Sequence, residues 1–124
     1  MRPFAVNGQA WRVVRVNPGD PRLIDREGKR TIGTADPLTR TVHLSNQLKP
    51  PLLDRVLLHE VAHAISMSHG LLDELHQVIP NESWVRAEEW SAKLVENHGV
   101  EAVVIASEVL GRPLCIGGFC VDQS

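Results

Sequence analysis

Residues Pro50 to Gly70 read PPLLDRVLLHEVAHAISMSHG. Leu53, Val56, Leu57, Glu60, Ala64 and Met67 recur at spacings of three and four, which is the period of one face of an α-helix. Pro50-Pro51 suits the start of such a helix and Gly70 its C′ position. From Val56 onward nearly every face is apolar, and a helix that is apolar all round is a buried one. Three polar residues, His59, Glu60 and His63, interrupt the run. Without partners in a core they would each cost about 1–3 kcal/mol, so their presence needs a reason.

The spacing supplies one. His59-Glu60-Val61-Ala62-His63 is an HExxH motif, and residues four apart on a helix project from one face. His59 and His63 can therefore offer two imidazole nitrogens to one metal ion, with Glu60 aimed beside them at a water. Zinc is the ion expected for this donor set, although two imidazoles and a carboxylate also accept cobalt, nickel or manganese. The competing reading is a chance match with ordinary core histidines.

The chain of 124 residues carries 13 Lys plus Arg against 15 Asp plus Glu, a net charge of −2, with the basic residues scattered. A single domain spanning 1–124 is expected, with no nucleic-acid interface. No apolar run reaches the ~20 residues of a membrane span and MRPFAVNGQAW lacks a signal-peptide core, so a soluble, cytoplasmic protein is expected. Cys115 and Cys120 are spaced too widely for a CxxC pair and read as two ordinary thiols, a local disulfide being the less favoured alternative.

Before Pro50 the pattern is one of short strands and turns. Phe4 to Val6 and Trp11 to Val16 flank the hairpin signal Asn7-Gly8. Leu23 to Asp25 and Thr31 to Thr34 flank the turn Arg26-Glu27-Gly28-Lys29, and Asp36-Pro37-Leu38-Thr39 leads into the strand Thr41 to Ser45. This reads as an antiparallel meander over 1–48. A helical part over 50–110 follows: the HExxH helix, a short run near Leu71 to Val78 stopped by Pro80, one from about Glu82 to Asn97 ended by Gly99, and one from Val100 to Leu110. Residues 111–124 read as an irregular tail. Strands followed by helices indicate an α+β domain.

A catalytic zinc takes three protein ligands, so one partner is still required. His69 sits at the metzincin distance, but a helix continuing to Gly70 rotates it by about 80° and carries it about 15 Å from His59. Glu88 and Glu89 are the better candidates. Glu88 shares a face with Trp84, Ser91, Ala92 and Val95, whereas Glu89 lies between Arg86 and Lys93 as an exposed ion pair would, so the periodicity favours Glu88. Glu60 is the natural general base. The chain contains no tyrosine, so His76, Arg86 or the ion itself must stabilise an oxyanion, with His76 the candidate side chain. Asp73 could orient a ligand imidazole. His43 reads as a strand side chain, while its strand, if it borders the cleft, could pair with an extended peptide.

Asp36 to Ser45, VLLHEVAHAI and the helix beginning Ala87-Glu88-Glu89-Trp90 together resemble the gluzincin branch of zinc metallopeptidases. The likeness is to the small ImmA/IrrE-like proteins often carried by phages and mobile elements, and it covers roughly residues 31–97. It implies a strand meander packed on the active-site helix and a downstream glutamate, Glu88 or Glu89 by position, as third zinc ligand. Trp90 departs from the small residue that often follows that glutamate. The resemblance implies cleavage of a peptide bond in a protein or peptide substrate. The alternative is a non-catalytic phage-type accessory protein that keeps the fold with a structural or vestigial metal.

Overall fold

Asn7 and Gly8 adopt φ of 49° and 75°, the pair of positive values that a two-residue hairpin turn demands. They join β1 (Phe4–Val6) to β2 (Gln9–Val16) as an antiparallel pair, with Phe4 opposite Trp11. The computed structural model describes residues 1–121. After β2 the chain leaves the sheet through a 3-10 turn at Pro21–Leu23, which Asp20 caps and Pro21 initiates. It returns as β3 (Gly33–Asp36) and β4 (Thr41–Ser45).

The strands lie in the order β1-β2-β4-β3, and β4 runs parallel to β2 and antiparallel to β3. The antiparallel meander expected from the sequence is therefore corrected to a mixed sheet. The cause lies in the connection: Leu23, fully buried, anchors the 3-10 turn, and Ile24 meets Arg30 in a single bridge where a second hairpin was expected. This excursion lets β4 enter between β2 and β3. Every residue of β4 is buried, as befits an interior strand, so the edge beside the helices belongs to β3. The expectation that the Thr41 to Ser45 strand could pair with a peptide fails for the same reason.

Helix α1 (Leu52–Ser68) packs across the sheet and ends at His69, with Gly70 in the left-handed region. Trp11, Val42, Leu44, Leu48 and Ala64 form the core, with Val56, Leu57 and Met67 packed against it. Burial of each large side chain there contributes roughly 1.5–3 kcal/mol. Trp11 also donates its Nε1–H to Ser68 Oγ at 2.8 Å inside the core.

Helix α2 (Leu71–Val78) and a 3-10 turn at Asn81–Ser83 lead to α3 (Trp84–Leu110). The two runs expected on either side of Gly99 are one helix. A glycine costs about 1 kcal/mol in a helix interior, which weakens such a helix without stopping it. The tail also has more order than expected: β5 (Cys115–Ile116) and β6 (Phe119–Cys120) form a hairpin closed by a Cys115–Cys120 disulfide. The reading of two ordinary thiols is thereby corrected. Residues 122–124 of the expected tail lie outside the described residues. Among the described residues the architecture is α+β, a four-stranded sheet with three α-helices beside the terminal hairpin, and no helix is long and apolar enough to cross a membrane.

Candidate metal centre

The HExxH segment is helical throughout, so His59 and His63 share one face of α1, with their rings 5.0 Å apart. Helix α3 crosses this face and delivers a carboxylate between the two imidazoles. Glu89 Oε2 lies 3.1 Å from His59 Nε2, and Oε1 lies 3.1 Å from His63 Nε2. The three groups place one ligand atom each within 4.8 Å of one another. At zinc bond lengths of about 2.0–2.1 Å, tetrahedral ligands stand about 3.3–3.4 Å apart, so this donor set fits such an ion after small adjustments.

Glu88, favoured by periodicity, is elsewhere. Its side chain is 2% exposed and faces away from the histidines, where it accepts hydrogen bonds from Arg26 and from His76 Nε2. A carboxylate so deeply buried requires counter-charge, and Arg26 supplies it. The ligand geometry thus belongs to Glu89, which is the correction that the structure makes to the expected triad. His76 is held by the same cluster: it stacks on Trp84 at 3.8 Å between ring centroids and does not line the cleft above His59. It is not brought to the position that an oxyanion donor needs. Arg86 and His69 are exposed, as is Asp73 on the cleft wall.

A further carboxylate on α3, Glu96, was not anticipated. His59 Nδ1 lies 3.0 Å from Glu96 Oε1. Carboxylates only accept hydrogen bonds, so an imidazole bonded to Glu89 through Nε2 and to Glu96 through Nδ1 donates at both nitrogens and is an imidazolium. In agreement, the hydrogen bond to Glu89 raises the His59 pKa against the opposing effect of burial. Hydrogen bonds from His59 and His63 hold the Glu89 carboxyl far below the usual carboxylate range. When an ion takes Nε2, Glu96 retains the proton on Nδ1 and fixes the tautomer that ligation needs.

Glu60 is buried beside the pair, and burial pushes its carboxyl pKa up, an effect only partly offset by His63 and His59. Gly33 of β3 makes this closeness possible. A Cβ there would stand 2.7 Å from Val56 Cγ1 and 3.3 Å from Glu60 Cγ. Only a residue without a side chain lets the edge strand lie so near the motif.

The two histidines, Glu60 and Glu89 sit in a cleft of about 1030 Å³. All four residues of β3 line one side, the loop around Arg26 forms a rim, and Leu72 and Val85 close the helical side. His43 behaves as expected of a strand side chain and lies outside the ligand cluster. It is buried with its Nδ1 unpaired, and burial lowers its pKa.

Comparison with family models, with curated proteins and with solved structures returns no match.

Proposed function

We propose that this chain is a zinc-dependent metallopeptidase of the gluzincin type, similar to the small ImmA/IrrE-like proteins, in which His59, His63 and Glu89 hold the ion. The observation that carries the reading is the convergence of both Nε2 atoms on the Glu89 carboxylate, beside a buried Glu60 and beneath an edge strand. A structural zinc site closes with four protein ligands, whereas three ligands with an adjacent carboxylate leave a place for reaction. Zinc bound there would supply Lewis acidity that lowers the pKa of a water to ≈ 7 and polarises the scissile carbonyl.

The chain's own groups supply the remaining steps. Glu60, with its proton affinity raised by burial, accepts a proton as the water oxygen bonds to the carbonyl carbon. It then delivers that proton to the nitrogen as the carbon–nitrogen bond breaks. Edge strand β3 lines the cleft, and its outward edge, where the Gly33 carbonyl accepts from Thr31 Oγ1, suits an extended peptide added as a further strand. The substrate is accordingly a protein or peptide segment. The Cys115–Cys120 disulfide argues for an oxidising compartment over the cytoplasm expected from the sequence.

One observation favours the non-catalytic alternative: His59, His63 and Glu89 satisfy one another through ion pairs, so the fold does not require an ion to neutralise them. Zinc content of the purified chain separates the readings when measured beside Glu89→Ala and Glu60→Gln. The peptidase reading expects one equivalent of zinc, lost in Glu89→Ala and kept in Glu60→Gln, whose peptide hydrolysis falls by about 10²–10⁴-fold. Zinc-free protein after reconstitution, or unchanged hydrolysis in Glu60→Gln, would overturn it.

A further inference from the structure

Thr34 of β3 lies directly across from His43 of β4, so their side chains leave the sheet on one face, which Asp36 shares two residues further along β3. Gly33 and Ala35 point to the opposite face, toward Val56 and the core. The cleft borders both faces, because Arg22, Thr34, Asp36, Leu38 and His43 line it as well as His59 and His63. Strand β3 thus divides it into a metal side and a far side, and the proposed chemistry uses only the first. On the far side His43 is 6% exposed, and its Nδ1 is the one buried side-chain nitrogen or oxygen without a partner among the described residues. A proton on Nδ1 would have no acceptor, so the ring carries it on Nε2. Burial, and then the charge of Arg22, lower the His43 pKa and keep the ring neutral. With Nδ1 sealed off, Nε2–H is the donor that His43 can show to the cleft.

We infer that the far side of the cleft is a specificity recess for a glutamine side chain of an extended peptide substrate. The inference rests on the reading that a peptide adds to β3 as a further strand, since such a strand sends alternate side chains to the two faces of a sheet. One set then meets the metal site and the other the recess. Length excludes the short polar side chains. His43 lies two strands in from the added one, about 9.5 Å away, and serine, threonine and asparagine are too short to span Thr34, whose own hydroxyl donates to the Arg22 carbonyl at 2.8 Å. Charge separates the long ones. Arg22 is spent on Asp20, to which its Nε and Nη2 donate at 3.0 and 2.8 Å. Asp36 accepts from Leu38 N–H and Thr39 Oγ1 in the turn that follows it, which leaves it lone pairs and an unneutralised charge close enough to act on the His43 ring. A glutamate would accept from His43 but meet Asp36 as a like charge. A lysine or arginine would pair with Asp36 but set its donors against the His43 donor. Glutamine answers both, because its amide oxygen accepts from Nε2–H and its amide nitrogen donates to Asp36. Its methylene stem would also cover part of Leu38, which is 93% exposed.

The test is selection from a random peptide library on the full chain carrying Glu60→Gln, which would hold a substrate without cleaving it, in zinc and again in chelator. The captured peptides should share a glutamine at one position of an otherwise variable sequence. Fluorescence anisotropy on one such peptide should show about 10-fold weaker binding when that residue becomes glutamate, lysine or asparagine. His43→Phe keeps a ring and removes the donor, so it should still bind peptide but accept methionine as well as glutamine. Asp36→Asn should remove the penalty against glutamate alone, and it decides the matter if circular dichroism shows that His43→Phe does not fold. Captured peptides without a shared glutamine, a glutamine preference that survives His43→Phe, or a failure to capture any peptide would each overturn the inference. Its failure is separable from that of the peptidase reading. Hydrolysis by the wild type with no glutamine preference at any position removes the recess and spares the enzyme, whereas capture of glutamine peptides by a chain that takes up no zinc does the reverse.

Discussion

Replacing Gly33 with alanine adds one methyl group at the point where β3 rests on α1. The new Cβ would meet Val56 Cγ1 at 2.7 Å and Leu44 Cδ2 and Glu60 Cγ at 3.3 Å, against optimal carbon separations of about 3.5–4.0 Å. Val56 cannot move aside easily, because a β-branched side chain in a helix has one strongly preferred rotamer. Leu44 is fully buried, so the strand itself must lift. Overpacking of this kind costs about 1–3 kcal/mol, and Gly33→Ala should lower the urea midpoint accordingly without changing the slope of the transition. The cause can be isolated with a double-mutant cycle. Val56→Ala removes the closest atom, so in that background Gly33→Ala should cost less by at least about 0.5 kcal/mol. On the proposed peptidase reading hydrolysis should fall as well, because a strand displaced by several tenths of an ångström disturbs both Glu60 and the edge that lines the cleft. A cost below about 0.5 kcal/mol that is unchanged by Val56→Ala would refute the claim that this glycine sets the strand-to-helix distance.

Removal of the carboxylate behind His59 by Glu96→Ala should lower zinc affinity 10–100-fold, read by competition with a chelating dye. Glu96→Gln should fall less, since its amide oxygen still accepts from Nδ1. In the metal-free chain, the raised pKa of His59 gives stability that is full below 6.5 and lost as pH rises through the folded value. The depressed pKa of Glu89 gives stability present above 4.5 and lost as pH falls through its folded value. The advantage of wild type over Glu89→Ala in thermal melts with chelator should therefore peak between these limits, while zinc affinity should rise with pH as the imidazoles lose protons. Ser68→Ala strands the buried Trp11 Nε1–H and should cost about 1–3 kcal/mol in chemical denaturation. Reduction of the Cys115–Cys120 disulfide should leave the unfolding of the sheet and α1 within about 0.5 kcal/mol, because among the described residues the hairpin hydrogen-bonds to the end of α3 and not to the sheet or α1.

The elements that were legible share one property, a local signal that tertiary packing does not override. Asn7-Gly8 fixes its hairpin through backbone angles alone, and the three-and-four spacing from Leu53 to Met67 together with Gly70 fixes α1 to within a residue. Sheet topology has no such signal. Whether β4 joins beside β3 alone or between β3 and β2 depends on where Leu23 finds burial, and no window around Leu23 encodes that. Gly99 misled because glycine is a strong stop only where the chain has somewhere better to go, and here the helix continues into Val100 to Leu110.

The misplacing of the proposed third ligand has a more instructive cause. Helical periodicity ranks residues by burial, and by that measure Glu88 correctly scored as the inward residue. A residue that must bind an ion open to substrate has the opposite requirement: it belongs at the rim of the cleft, half-exposed, as Glu89 is at 44%. The inward glutamate answers instead to Arg26, whose loop lies more than sixty residues away, and no spacing on α3 reveals such a partner. A usable signal did exist on the helix. Glu89, Ala92 and Glu96 recur at spacings of three and four, and Ala92 between the two carboxylates is nearly fully buried. A small residue flanked by glutamates marks a line along which another helix comes close, and two glutamates on such a line can serve one histidine from both of its nitrogens. The motif helix names the histidines, but the third ligand is found by asking which face of α3 can approach them, and side-chain size answers that where hydrophobicity does not.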